Sequence, residues 1–282
     1  SIFSFLGIML GVAILIIVMS VMNGFKTDLT KKILGLNPHI VVQSNGFELE
    51  DKFISKIEKK YPNTITSKTF SGEGVIVKDG SAKGVMVKGI ETNKENSINF
   101  LKSNITSGTI ENFKNQTVFI GGELAFNLNL EIGSKISLMS SSFVSTPFGG
   151  LPKQETFIVA GIFNTGFYDF DQNLVFLNLI DSLSLFDKDQ KDQNLEIFLL
   201  DPLASDKIKN EIQKFNLNYF VYSWSDLNKS FFSALKIERN VMFLILTLIL
   251  IVAAFNIISG LTILIKNKTK EIAILKTLGL SN

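Results

Sequence analysis

Two stretches of this chain carry no charge, and they limit its fold before anything else does. Residues 2–22 and residues 241–265 contain no Asp, Glu, Lys or Arg. A helix of about 20 apolar residues is long enough to cross a hydrocarbon layer about 30 Å thick. The first stretch lacks the marks of a cleaved leader, because Asn23-Gly24-Phe25-Lys26 offers no small-residue cleavage site. In the second, the polar residues are Thr247, Asn256, Ser259 and Thr262. Asn256 lies at mid-depth and is expected to face another helix, where its amide finds a partner. Two spans put both outer ends of the chain on one side of a membrane and residues 23–240 on the other. Charge does not orient them: Lys266, Lys268 and Lys270 follow the second run, but Lys26, Lys31 and Lys32 follow the first. The chain starts at Ser1 rather than Met and stops at Asn282 without a polar tail, so it is read as a fragment of a longer protein.

Between the spans the pattern changes to that of a folded domain. Phe25, Leu29, Ile33 and Leu36 recur at helical spacing, so a stalk helix is expected over residues 25–38, ending near Gly35 and Pro38. A strand follows at 39–43, then a helix at 50–60 with Phe53, Ile54 and Ile57 on one face. Strands at 74–78 and 82–90 flank Asp79-Gly80-Ser81, a strong hairpin signal. From 106 to 178 the pattern is mostly strand, at 117–120, 135–141, 156–163 and 174–177, with a short helix at 122–128. A strand at 195–200, a helix at 204–214, a strand at 219–223 and a helix at 226–236 lead into the second span. The predicted fold class is α+β: two transmembrane helices flanking an α+β domain with a β-rich subdomain. The expected boundaries are a span at 1–24, a stalk at 25–38, a domain at 39–236 with a β-rich insertion at about 106–190, a second stalk and span at 237–265, and a terminal helix at 266–282.

Composition removes most catalytic classes. There is no cysteine and one histidine, His39, so thiol nucleophiles, Cys-ligated zinc and most His-based metal sites are excluded. No Gly-x4-Gly-Lys-Ser/Thr pattern occurs, and the Gly72-Glu73-Gly74 and Gly80–Gly84 glycines read as strand-turn residues. A net charge of +2 with no basic cluster argues against nucleic acid. His39 reads as a surface or stalk residue and Tyr168-Asp169-Phe170-Asp171 as a polar turn. Trp224, Phe231 and Phe232 suit either a membrane interface or stalk packing. No catalytic residue and no metal ligand is expected.

Two segments invite partners. Ser145-Thr146-Pro147-Phe148-Gly149-Gly150-Leu151-Pro152 is a loop between strands, stiffened by proline and tipped with the apolar Phe148 and Leu151. Bottom-up it serves either as a docking loop or as a loop folded onto its own domain. Residues 266–280 turn polar after the second span and resume as a short amphipathic helix, with Ile274 and Leu278 on one face and Glu271 with Leu275 on another. Such a helix either lies on lipid or fits a partner's groove.

The motif Val18-Met19-Ser20-Val21-Met22-Asn23-Gly24-Phe25, followed by Ile33-Leu34-Gly35-Leu36-Asn37-Pro38-His39, resembles the first span and stalk of the lipoprotein-releasing permeases, the LolC/LolE family. Ala253-Ala254-Phe255-Asn256-Ile257-Ile258 and Lys270-Glu271-Ile272-Ala273-Ile274-Leu275-Lys276-Thr277-Leu278-Gly279 resemble their second span and coupling helix. The latter motif is shared with the wider MacB and FtsX superfamily.

The resemblance implies a type VII ABC permease in the bacterial inner membrane, with four spans in the whole subunit and its large domain in the periplasm. It implies that Lys270, Glu271, Ile274, Leu275, Leu278 and Gly279 contact a separate ATPase subunit, which binds ATP and Mg; this chain binds no cofactor. Pro147, Phe148, Gly149, Gly150, Leu151 and Pro152 resemble a hook that captures a periplasmic lipoprotein carrier. Met22 and Met242 are expected to line a cavity for the acyl chains of lipoprotein substrates, beside membrane lipid. The second permease subunit is either identical or a paralogue. The rivals are a MacB-type efflux permease, an FtsX-like regulator and a two-span sensor; a membrane-anchored hydrolase lacks its nucleophile and base.

Overall fold

The computed structural model describes residues 9, 11–13, 16–24, 37–92, 101–146 and 149–279. The chain divides into two units, Leu34–Leu227 on one hand and Ser1–Ile33 with Asn228–Asn282 on the other.

The first unit runs β1 (Ile40–Gln43), α1 (Asp51–Lys60), β2 (Ile65–Lys78), β3 (Ser81–Ile90), β4 (Ile105–Gly108), β5 (Thr117–Gly121), α2 (Gly122–Asn127), β6 (Lys135–Thr146), β7 (Gly149–Phe163) and α3 (Tyr168–Asn173). It continues with β8 (Leu174–Asn178), α4 (Leu179–Leu185), β9 (Asn194–Phe198), α5 (Ser205–Gln213), β10 (Phe220–Ser223) and α6 (Trp224–Leu227). The strands form one ten-stranded sheet in the order β10-β1-β9-β2-β3-β8-β5-β7-β4, and β6 bonds both β2 and β7. That double pairing closes β2, β3, β8, β5, β7 and β6 into a ring. Closure leaves those strands no free edge between them.

Alternation fills the ring. On β3, Val85 and Val87 are buried while Met86 between them is exposed, the period of two that a strand imposes. Ile76, Val118, Ile120, Ile136, Leu138, Phe157 and Val159 complete the cluster with Leu124 of α2 and Leu183 of α4. Each such side chain contributes about 1.5–3 kcal/mol on burial. A second core lies beside the ring, where Phe53, Ile54 and Ile57 of α1 and Ile212 of α5 pack on Ile40, Val42, Leu195, Ile197 and Val221. Phe53 meets Tyr219 edge-on at 4.8 Å. A third cluster gathers Ile90, Leu101, Phe113, Phe119, Ala160, Phe163 and Phe176. β2 joins the first two cores: residues 65–69 pair with β9 and residues 69–78 with β3. Lys88 on β3 reaches over to Glu196 on β9 at 2.8 Å, and both side chains are largely buried.

The α+β content agrees with expectation, and so does the Asp79-Gly80 hairpin, whose two turn residues have φ of 48° and 81°, the left-handed pair a two-residue turn requires. Four readings need correction. Gly72 and Gly74 are not turn residues: they lie inside β2, where a Cβ on Gly72 would stand 2.6 Å from the Phe186 ring. His39 is buried rather than at the surface, its Nδ1 accepting the Leu199 N–H at 2.8 Å. Trp224 is buried too, and its N–H donates to the His39 carbonyl at 2.9 Å, so it packs in the domain instead of marking an interface. Tyr168–Asn173 is a helix, not a polar turn, and its Asp171 is buried, accepting from the Thr165 N–H and hydroxyl at 2.8 and 2.9 Å.

In the second unit, α7 (Lys229–Thr277) is one helix of 49 residues, about 74 Å long at 1.5 Å per residue. Its segment Asn240–Leu275 is long and apolar enough to cross a membrane, and it is the only described helix that is. The first predicted span is described in part, as the shorter apolar helix Gly11–Gly24. The expected stalk at 25–38 lies outside the described residues except for its last two positions. The expected separation of span, polar stretch and terminal helix does not occur: α7 passes through residues 266–270 unbroken. Three of its five residues are lysines, good helix formers that outweigh Asn267 and Thr269, and Lys268 pairs with Glu271 one turn on at 2.6 Å. The side chains of Phe231 and Phe232 lie outside the described set.

Candidate functional site

The loop expected at 145–152 is the end of a hairpin. Ser145 and Thr146 close β6, Gly149 to Pro152 open β7, and they pair as Phe143↔Pro152, Val144↔Leu151, Ser145↔Gly150 and Thr146↔Gly149. Pro147 and Phe148, at the turn, lie outside the described residues. The prolines suggested a loop because proline cannot donate to a ladder. Pro152 is accommodated because it sits on the last rung before a register break between Met139 and Phe143, the kind of place a strand tolerates it. Gly149 has a φ of 116°, open to glycine alone without strain.

Up to Ser140, β6 also pairs with β2, through Ser137 to Ser140; beyond the break, among the described residues, it pairs with β7 alone. The hairpin end therefore projects from the ring. Its apolar side chains face solvent: Phe143 is 68% exposed, Leu151 59% and Val144 49%. Phe143 lies against Gly150, where an added Cβ would come within 3.5 Å of its own Cβ. At the foot is a groove of about 610 Å³ lined by Val75, Met86, Met139 and Pro152 among others. Phe143 and Val144 escaped the sequence reading. The signal for them was an apolar pair continuing a strand past a run of three serines, residues 140–142.

The stem of the hairpin is tied to α4. Ser142 Oγ donates to the Phe186 carbonyl. Lys153 Nζ donates to the Ser184 carbonyl at 2.5 Å, and Ser184 Oγ to Glu155 at 3.2 Å. At the other end of α4, Asn178 caps the helix by accepting the Asp181 N–H at 2.7 Å. Burial pushes the Asp181 carboxyl above its ordinary value, against the lowering bond from the Gln116 N–H.

The remaining predicted residues stand in the second unit. Ile274, Leu275 and Leu278 are exposed near the C-terminus of α7, and Glu271 is held by Lys268. The Lys270 side chain is outside the described set. Gly279 has a φ of 91° and follows the helix as its terminating glycine. Met22 is exposed at the end of Gly11–Gly24, and Met242 is half-buried on α7. The structure thus brings the hairpin residues together and the α7 residues together, while the two methionines stand on separate helices. Among the described residues, no cluster of three or more His, Asp or Glu is placed to hold a metal ion.

Against known proteins, residues 1–215 match the family described as the MacB-like periplasmic core domain. The lipoprotein-releasing system transmembrane protein LolC of Buchnera aphidicola (subspecies from Acyrthosiphon pisum) is 32% identical, covering 100% of this chain and 70% of its own length. The LolC protein of Haemophilus influenzae is 31% identical over 98% of this chain and 69% of its own. Among solved structures, the periplasmic region of MacB from Actinobacillus actinomycetemcomitans aligns over 70% of this chain and 94% of its own, at 12% identity and a TM-score of 0.43.

Proposed function

The chain belongs to the MacB-like periplasmic core domain family and, within it, to the lipoprotein-releasing LolC/LolE permeases, and on that premise we propose that it hands lipoproteins from the inner membrane to a soluble periplasmic carrier. It is an ABC transporter permease rather than a catalytic subunit. The observation that carries the finer reading is the β6–β7 hairpin, which holds Phe143, Val144 and Leu151 out to solvent from a closed ring of strands. Apolar side chains displayed on a rigid support bind with little further loss of entropy.

The proposed cycle assigns the other parts as follows. Gly11–Gly24 and α7 belong to two spans, with the domain 34–227 in the periplasm. A separate ATPase subunit binds ATP and magnesium and pushes on Lys270, Glu271, Ile274, Leu275, Leu278 and Gly279. A second permease subunit completes the lipid cavity, to which Met22 and Met242 contribute flexible apolar side chains. Closure expels the acyl chains towards the carrier docked on Pro147, Phe148, Gly149, Gly150, Leu151 and Pro152. Docking matters energetically, because wetting each methylene costs about 0.8 kcal/mol, or on the order of tens of kcal/mol for three acyl chains.

The test is binding of purified, lipid-free periplasmic lipoprotein carrier to the whole chain in detergent, beside a Phe143→Asp, Leu151→Asp double variant. Carrier binding by the parent chain, with at least about a tenfold loss in the variant, supports the reading. No binding by a folded parent chain turns the assignment to the efflux or regulatory members of the wider family.

A further inference from the structure

A hairpin that projects from a sheet is free to swing unless something holds its stem, and here the hold comes from one helix end. α4 finishes in a Schellman turn: the Asp187 N–H bonds the Ser184 carbonyl at 3.0 Å and the Lys188 N–H the Leu183 carbonyl at 2.9 Å, with Asp187 at a φ of 53°. That turn satisfies Leu183 and half of Ser184 but leaves outward lone pairs on the last carbonyls, at the negative end of the helix. The hairpin stem supplies the missing donors from both strands. Ser142 of β6 gives its hydroxyl to the Phe186 carbonyl. Lys153 of β7 gives its ammonium to the Ser184 carbonyl at 2.5 Å and stands 3.7 Å from Glu155, itself bonded by the Ser184 hydroxyl.

The place of these contacts is informative. Between the rungs Met139↔Gln154 and Phe143↔Pro152, β6 spends three residues against one on β7. A bulge of this kind breaks the ladder and bends the strand, so backbone pairing alone does not fix the direction of what lies beyond. Ser142 is inside the bulge, Lys153 is the single residue opposite it, and both reach the same helix end. That helix end is itself immobilised, because the Phe186 ring fills the space left by Gly72 and Gly74 on β2. A chain of contacts therefore runs from β2 through Phe186 and the α4 terminus to both strands of the hairpin.

We propose that Lys153 and Ser142 are positioning residues, which lock the direction of the β6–β7 tip by bonding the C-terminal carbonyls of α4 across the bulge. The consequence for carrier capture rests on the function proposed above; the locking itself does not. Without the clamp the tip samples a range of directions, and binding has to select one of them, which weakens affinity without altering any contact residue.

The absence of cysteine from the chain allows clean spin labelling. Labels at Val144→Cys on the tip and Asp79→Cys on the β2–β3 turn, in the whole chain in detergent, report the tip direction by pulsed dipolar distances. A single narrow distribution is expected in the parent background. Lys153→Met and Ser142→Ala should each broaden it, while Lys153→Arg, which keeps a cationic donor, should restore it. In unlabelled chains, affinity for the lipid-free carrier should fall about tenfold in Lys153→Met and recover in Lys153→Arg. Circular dichroism confirms that each variant is folded. Unchanged narrow distances in Lys153→Met and Ser142→Ala overturn the clamp, whatever the carrier does. Broadened distances with undiminished carrier affinity uphold the clamp and overturn its part in capture. If the parent chain binds no carrier, the proposed function fails, and the distances still decide the clamp.

Discussion

His39 shows how far a single residue's surroundings can outrun its type. In sequence it is a lone histidine after a proline, and an exposed place is the ordinary expectation. In the fold it stands just before β1 and is tied on three sides. Its N–H donates to the Ile197 carbonyl at 3.0 Å, its carbonyl accepts from Trp224, and its Nδ1 accepts the Leu199 N–H. The ring also meets Phe198 edge-on at 5.8 Å. Replacing it with leucine leaves the Leu199 amide without its acceptor, and an unsatisfied buried donor costs about 1–3 kcal/mol. Asparagine places an amide oxygen near the position of Nδ1 and should lose less than half as much. Urea unfolding followed by fluorescence of Trp224, the single tryptophan, measures both. Equal losses in the two variants would show that the ring's volume matters and its acceptor does not. Nothing local in the sequence announces this role, because all three partners lie more than 150 residues away in the chain.

At the level of elements, local signals are legible in the sequence and long-range ones are not. The faces of α1 and the Asp79-Gly80 turn are legible because their partners lie within a few residues. β2 begins at Ile65 rather than at Gly74. As a whole it does not read as one run, because Ser71-Gly72-Glu73-Gly74 in its middle has little strand propensity. Pairing with β9 on one side and β3 on the other makes it a strand. The segment proposed to dock a partner differs in form from expectation: Pro147 and Pro152 suggest an irregular loop, where a bulge lets the ladder continue to Thr146 and Gly149. α7 is the converse case: the polar residues at 266–270 suggest an interruption where the helix continues. Its continuity makes Ile274 part of one rigid rod with the apolar segment, and Leu278, also exposed, follows one residue past the helix end. On the proposed function, Ile274→Asp with Leu278→Asp should reduce co-purification of the proposed ATPase partner by at least about tenfold and leave carrier binding intact. Undiminished co-purification would remove this face from the coupling contact.

The whole-molecule arrangement is the least legible of all. The ring depends on β3 lying parallel to β8, which joins residues 86–90 to residues 174–178, and on β5 lying parallel to β7 across a register shift. No turn motif marks such pairings. The result is one sheet serving two cores, with β2 as the shared strand and the Lys88–Glu196 pair bridging it. Whether the cores behave as one cooperative body then turns on that joint. Lys88→Met leaves Glu196 buried without its cation, which costs about 3–5 kcal/mol, and the cost falls on the contact between β3 and β9 rather than inside either core. Trp224 follows β10 on the side of the second core, while hydrogen exchange of the β6 and β7 amides, read by mass spectrometry, reports the ring as urea is raised. In the parent chain the two transitions should coincide. In Lys88→Met the fluorescence midpoint should fall further than the exchange midpoint, and Lys88→Met with Glu196→Leu should bring them together again, since it removes the stranded charge. Coincident transitions in Lys88→Met would mean that the backbone ladder of β2 alone couples the cores. In that case the ion pair sets which strands neighbour one another without setting how the domain unfolds.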